Sequence, residues 1–287
     1  MTNPDVHAFH HESTGTFSYI VRDPGRASAA IIDPVLDYDP AAGRTSTDSA
    51  DRLIAFIREN ELQPAWILET HAHADHLTAA PYLQERLGGR IGIGRGITKV
   101  QATFRDILNL GDSLDPDGRQ FDHLFDDDET FEIGRLKGCV IPTPGHTSDS
   151  VTYRIGDAAF VGDSLFMPDA GTARCDFPGG DAHVLWQSTR HLFELPDETR
   201  LFMCHDYAPG GREVRHETTV AEQKVDNIHV GGQRTEADFV KLRTERDETL
   251  GMPTLILPAI QINIRAGHGP APEDNGVVYL KIPLDRF

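Results

Sequence analysis

The segment Thr70-His71-Ala72-His73-Ala74-Asp75-His76 sets three imidazoles and a carboxylate within six residues. Imidazole nitrogen and carboxylate oxygen are ligands for zinc and iron. The segment directly follows the apolar run Ala65-Trp-Ile-Leu-Glu69. In extended chain His71 and His73 project to one side, because strand side chains alternate. Asp75 and His76 then turn back from the start of the next helix. Three weaker pieces share this form. Pro142-Thr-Pro-Gly-His146-Thr147 is a tight turn offering a histidine. Phe160-Val-Gly-Asp163 is an apolar strand ending in a carboxylate, and Leu201-Phe-Met-Cys-His205-Asp-Tyr207 is one ending in a histidine. Singly, each reads as well as a packed or solvated polar residue. Together they predict a metal site at the edge of a sheet, because polar groups clustered at buried strand ends need a partner.

The elements that must position these residues are legible from periodicity. Thr16–Val21 and Ser28–Asp33 are β-rich runs around Asp23-Pro24-Gly25, which predicts a hairpin. Ala50, Leu53, Ile54 and Ile57 fall on one face of a helix over Ser46–Asn60. Helices are expected over Leu77–Leu87, ended by Gly88-Gly89, and over Ile97–Leu108. Gly92–Gly96 is then a turn before the second of these, and His7, His10 and His11 belong to a mobile terminus. Strands follow between Thr130 and Asp163, then a helix at His183–Phe193 and a strand at Arg200–Cys204. Helical sequence runs from Glu217 to about Leu250, and Leu255–Ile264 and Val277–Ile282 read as extended. This order predicts a layered α/β fold, with a boundary near residue 210 separating a domain over 1–210 from a C-terminal helical extension and tail over 211–287.

Composition narrows the function classes. The 287 residues are 39% apolar and 25% charged, ordinary for a globular protein. With 27 basic against 45 acidic side chains the formal charge is −18. That argues against nucleic acid or an anionic membrane as partner, while leaving room for a local basic pocket. Cys139, Cys175 and Cys204 are odd in number and far apart, which fits neither a disulfide framework nor a cysteine zinc cage. A reducing, cytoplasmic compartment is expected. The N-terminus has no apolar signal core, and no run approaches the roughly 18 apolar residues of a membrane span.

The ordered set T-H-A-H-A-D-H, P-G-H-T, G-D and a strand ending in histidine resembles the metallo-β-lactamase superfamily over about residues 15–210. The resemblance implies a four-layer αββα sandwich with metal at one edge. Asp163 stands where some true β-lactamases use cysteine, which is similar to the glyoxalase II and persulfide dioxygenase branch. Gly171-Thr-Ala-Arg174-Cys175-Asp176-Phe177 resembles the G-x-x-R-x-D-F segment of persulfide dioxygenases, where glyoxalase II enzymes more often carry lysine at the arginine. The tail, Asn263-Ile-Arg265-Ala-Gly-His268 and Asn275-Gly276-Val-Val-Tyr279-Leu-Lys281-Ile-Pro283, resembles a bacterial subgroup of the same enzymes.

The resemblance implies one Fe(II) held by His71, His146 and Asp163 as the catalytic centre. His73, Asp75, His76 and His205 then orient ligands and water. The implied reaction takes glutathione persulfide and O2 to sulfite and glutathione. Arg174 and Tyr207 are the candidates for binding glutathione, with an ion pair to Asp176 and core packing as their structural alternatives. A dinuclear hydrolase of glyoxalase II type, with two zinc ions or a mixed iron–zinc pair, is the competing reading. In it His71, His73 and His146 hold one metal, Asp75, His76 and His205 the other, and Asp163 bridges. A metal-bearing binding module without turnover is the third. Self-association is left open. Cys175 beside Arg174 could carry a lowered thiol pKa, although a packing role suits it better.

Overall fold

The computed structural model describes residues 3–286. The chain begins with β1 (Asp5–His11), β2 (Thr16–Arg22), β3 (Ser28–Ile32), β4 (Val35–Asp39), β5 (Arg44–Ser46) and α1 (Asp48–Glu59). It continues through β6 (Gln63–Leu68), β7 (Leu77–Thr78), α2 (Ala80–Leu87), β8 (Arg90–Gly94), α3 (Ile97–Ile107) and β9 (His123–Phe125). The second half holds β10 (Thr130–Ile133), β11 (Leu136–Pro142), β12 (Val151–Ile155), β13 (Ala158–Phe160), α4 (Ala182–Leu192) and β14 (Arg200–Phe202). Last come β15 (Glu217–Thr219), α5 (Val220–Asp226), α6 (Glu236–Asp247) and α7 (Ile256–Asn263).

Two six-stranded sheets, in the orders β1-β2-β3-β6-β8-β9 and β10-β11-β12-β13-β14-β15, face each other. A small third sheet, β5-β4-β7, lies beside them. Strand alternation divides the apolar residues between layers. On β2, Phe17, Tyr19 and Val21 join Tyr153, Phe160 and Phe202 in the core between the sheets. Ile20 points the other way, into a layer with Leu53, Ile57, Leu83, Phe104 and Ile260 from α1, α2, α3 and α7. On the far side, Val161, Leu201 and Met203 meet Leu185, Trp186 and Phe239 from α4 and α6. The result is the expected αββα sandwich, and its double burial explains the nearly unbroken apolar runs.

Several local expectations are corrected. His7, His10 and His11 lie in β1, which pairs with β2 (His7 opposite Ile20), so ladder hydrogen bonds fix them in place. Leu77 and Thr78 pair with Leu36 and Val35, and the helix starts at Ala80. Gly92 and Gly94 belong to β8, parallel to β6 and β9, and the expected turn before α3 is confined to Arg95 and Gly96. The helical stretch after Glu217 is shorter than expected: β15 pairs with β14, and the chain between Asp226 and Glu236 is irregular. Leu255–Ile264 is helical instead of extended, because Ile256, Ile260 and Ile264 share one buried stripe at helical spacing. Val277–Ile282 forms no strand ladder.

Candidate metal centre

The C-terminal ends of β3, β6, β13 and β14 and the β11–β12 turn converge on one edge of the sandwich. Each delivers a donor: Asp33 just beyond β3, the His71–His76 loop beyond β6, His146 in the turn, Asp163 beyond β13 and His205 beyond β14. Two glycines allow the approach. Gly145, before His146, has φ +133 and a Cβ there would lie 2.3 Å from the Leu185 nitrogen. Gly162, before Asp163, has φ +52 and a Cβ would lie 2.8 Å from Thr70 Oγ1. These are left-handed conformations without room for a side chain.

The donors form two groups. One atom from each of His71, His146 and Asp163 lies within 4.8 Å of the others, and the same holds for His73, Asp75, His76 and His205. His73 thus falls by distance with the second group, although its ring centroid is also 4.0 Å from that of His71. Asp163 stands between the groups: Oδ2 is 3.6 Å from His146 Nε2 and Oδ1 is 3.4 Å from His205 Nε2.

The outer atoms of these side chains are held. His73 Nε2 lies 3.0 Å from Asp33 Oδ1, and His146 Nδ1 donates to the Arg174 carbonyl at 2.7 Å. Ala72 N, between two of the histidines, donates to Asp149 Oδ2 at 2.8 Å. The inner atoms are not: His71 Nε2, His73 Nδ1, His76 Nε2, His205 Nε2 and Asp163 Oδ1 are buried without a hydrogen-bond partner. Leaving a buried polar atom unpaired costs about 1–3 kcal/mol. Five such atoms along one edge, spread over the two groups, are an arrangement that bound metal satisfies, with outer bonds selecting the inward nitrogen.

The electrostatics agree. Burial, then the neighbouring histidines, hold the His71 and His73 imidazoles well below their ordinary pKa, in the neutral form that ligates. Burial opposes ionisation of Asp75, but His205 and His76 outweigh it and keep its carboxyl well below the usual range. Burial likewise opposes a charge on His205, and Asp75, Asp163 and Asp33 reverse that, raising its pKa.

A cavity of about 590 Å³ opens on this edge, lined by His146, Asp163, Phe166, Phe177, Arg174 and Tyr207 among others. Tyr207 is 60% exposed and stacks on the His205 ring at 5.7 Å. Arg174 is engaged: Nε and Nη2 each bond the Asp176 carboxylate at 2.6 Å, and Nη1 bonds the Gly251 carbonyl at 2.6 Å. Cys175 is buried, which pushes its thiol up to about 12, so the lowered pKa expected from its neighbour is absent.

Sequence reasoning missed Asp33, Asp149 and Asn263. Asp33 carries the same signal as Asp163, an apolar strand ending in a carboxylate. Asn263, which opens the tail segment that carries the resemblance, lies on α7 and donates to the carbonyls of His73 and His76 at 2.8 Å each, a role its local sequence does not mark.

The profile of the Metallo-beta-lactamase superfamily matches residues 13–205. A Burkholderia pseudomallei protein described as a probable metallo-hydrolase is 52% identical, over 98% of this chain and 99% of its own. Glyoxylase B2 of Dictyostelium discoideum is 50% identical, over 98% and 97%. The human mitochondrial persulfide dioxygenase ETHE1 is 29% identical, over 88% and 84%. The crystal structure of ETHE1 from Myxococcus xanthus superposes with a TM-score of 0.73 at 29% identity, covering 92% of this chain and all of that one. Among the described residues no helix is long and apolar enough to cross a membrane. Donor geometry and sequence match lead to the same place: this chain belongs to the metallo-β-lactamase superfamily.

Proposed function

We propose that the protein is a mononuclear iron persulfide dioxygenase, turning glutathione persulfide, O2 and water into glutathione, sulfite and two protons. The observation that carries this reading is the buried trio His71, His146 and Asp163 beside the cavity. Two imidazoles and one carboxylate would hold an iron ion with positions left for a sulfur and for dioxygen. Iron held there would relay electrons from the persulfide sulfur to triplet oxygen. The chain's own residues position and shield. Thr70 Oγ1, 3.1 Å from His71 Nδ1, and the Arg174 carbonyl orient two ligand rings. Phe166 and Phe177 form an apolar wall that limits water at the reacting sulfur. Tyr207, exposed at the cavity, offers a face and a hydroxyl to the thiol's peptide portion. The similarity to ETHE1 in sequence and in fold supports this branch.

One observation favours a second reading, a dinuclear thioester hydrolase. His73, Asp75, His76 and His205 are close enough to hold another ion, and the Burkholderia relative is described as a metallo-hydrolase. The deciding experiment measures sulfite formed from glutathione persulfide and O2 by Fe(II)-loaded protein, beside lactoylglutathione hydrolysis by zinc-loaded protein. Oxygen-dependent sulfite is expected. No sulfite together with fast hydrolysis would overturn the dioxygenase.

A further inference from the structure

The chain carries a formal charge of −18, yet one wall of the metal-centre cavity is cationic. Arg174, Arg243 and Arg246 all line it. The first is paired with Asp176, as described above. The second is buried, ion-paired to Asp247 and bonded through Nη1 to the Thr172 carbonyl at 3.0 Å. Arg246 differs: it is exposed, and its guanidinium makes no hydrogen bond or ion pair among the described residues. It sits one turn beyond Arg243 on α6, so the two share a helix face. It also lines an adjoining surface depression with Arg234 and Lys241, where Asp238 and Glu245 offset part of the charge. The combined field is felt nearby. Burial, followed by Arg243, Arg246 and Arg234, drives His229 down to about 3. An unpaired guanidinium at the wall of a reaction cavity in a strongly acidic protein selects for an anionic ligand, because it attracts anions where the rest of the surface repels them. Guanidinium matches a carboxylate with two parallel N–H bonds.

We infer that Arg246 is the specificity-determining anchor for a carboxylate on the substrate, remote from its sulfur, so that the site takes small acidic thiol derivatives over neutral or basic ones. The assignment rests on the persulfide reading of the site. It moves carboxylate recognition from Arg174, whose guanidinium braces its own segment against Asp176 and Gly251, to α6.

The test is calorimetric binding of glutathione, the unreactive thiol product, to metal-loaded wild type, Arg246→Gln and Arg246→Lys. Glutathione monoethyl ester is the second ligand, and Lys99→Gln serves as a charge control. Arg246→Gln is expected to weaken glutathione about tenfold, the lower end for a charged hydrogen bond since the site is partly solvated. It should also shrink wild type's preference for the acid over the ester. Arg246→Lys should restore part of the affinity, and Lys99→Gln should match wild type. Metal content and Tm should not change, as the side chain holds nothing in place. Equal glutathione affinity in wild type and Arg246→Gln, or no binding to wild type, would overturn the anchor. The activity reading is judged separately. Arg246-dependent glutathione binding without sulfite formation keeps the anchor and removes the dioxygenase. Sulfite formation with a KM unmoved by Arg246→Gln does the reverse.

Discussion

Asp33 Oδ1 lies 3.0 Å from His73 Nε2 and also accepts the Thr70 main-chain N–H at 2.7 Å. One carboxylate at the end of β3 thus holds both the outer nitrogen of the His73 ring and the backbone that begins the His71–His76 loop. Removing such an outer partner typically costs about 10–100-fold in metal affinity or activity. Asp33→Ala is expected to lose metal to a competing chelator within that range while staying folded. A chelator titration matching wild type would deny Asp33 this role.

Metal analysis separates the two donor groups. If one iron sits on His71, His146 and Asp163, alanine at any of these should yield protein nearly free of metal. His76→Ala and His205→Ala should keep close to one ion per chain with lowered turnover. A wild-type content near two, falling to one in His76→Ala, would establish the dinuclear arrangement instead.

Asn263 ties the C-terminal region to the site. Its Nδ2 serves the carbonyls of His73 and His76, and its Oδ1 takes the Thr78 N–H at 2.9 Å. Asn263→Ala leaves three buried main-chain groups unpaired. It should lower stability by about 2–4 kcal/mol and weaken metal retention. Urea unfolding with parallel metal measurement checks both effects, and an unaltered midpoint would refute the clasp.

The Asp206–Arg212 pair predicts a pH dependence. Burial would raise the Asp206 pKa, but bonds from Arg212 and from the Arg215 and Ala208 main chain hold it below the ordinary value. A depressed folded-state pKa stabilises fully above the unfolded value of about 3.9 and is lost as pH falls through the folded value. Arg212→Gln should therefore cost about 2 kcal/mol near neutrality. Its deficit should shrink below about pH 4, as Asp206 protonates in both proteins. Unfolding curves showing a constant deficit into acid would contradict this.

Thiol chemistry should be slow. Burial raises Cys175 to about 12 and Cys204 well above its ordinary value, and it raises half-buried Cys139 as well. Iodoacetamide near neutral pH should leave native protein mostly unmodified by mass spectrometry and label all three thiols in urea. Rapid loss of activity with label on Cys175 would restore it as a reactive group.

Residue order alone reveals the donor types, the strand ends that carry them and the layered fold. These follow from local patterns: compressed histidines after an apolar strand, glycines before His146 and Asp163, and apolar residues at spacings of two or three to four. Tertiary structure alone decided the rest. Asp33, Asp149 and Asn263 act on the His71–His76 loop from 40, 77 and 190 positions away along the chain in their bonds to His73 and Ala72, so no local spacing records those bonds, even where a strand end marks Asp33 itself. Leu255–Ile264 looked extended because β-branched residues suit strands, and docking of its apolar stripe made it helical. Arg174 and Arg246 are chemically identical in a sequence. Asp176 and the Gly251 carbonyl engage the first guanidinium, while the second lines the cavity with no partner among the described residues, and pairing of that kind exists only once the chain has folded.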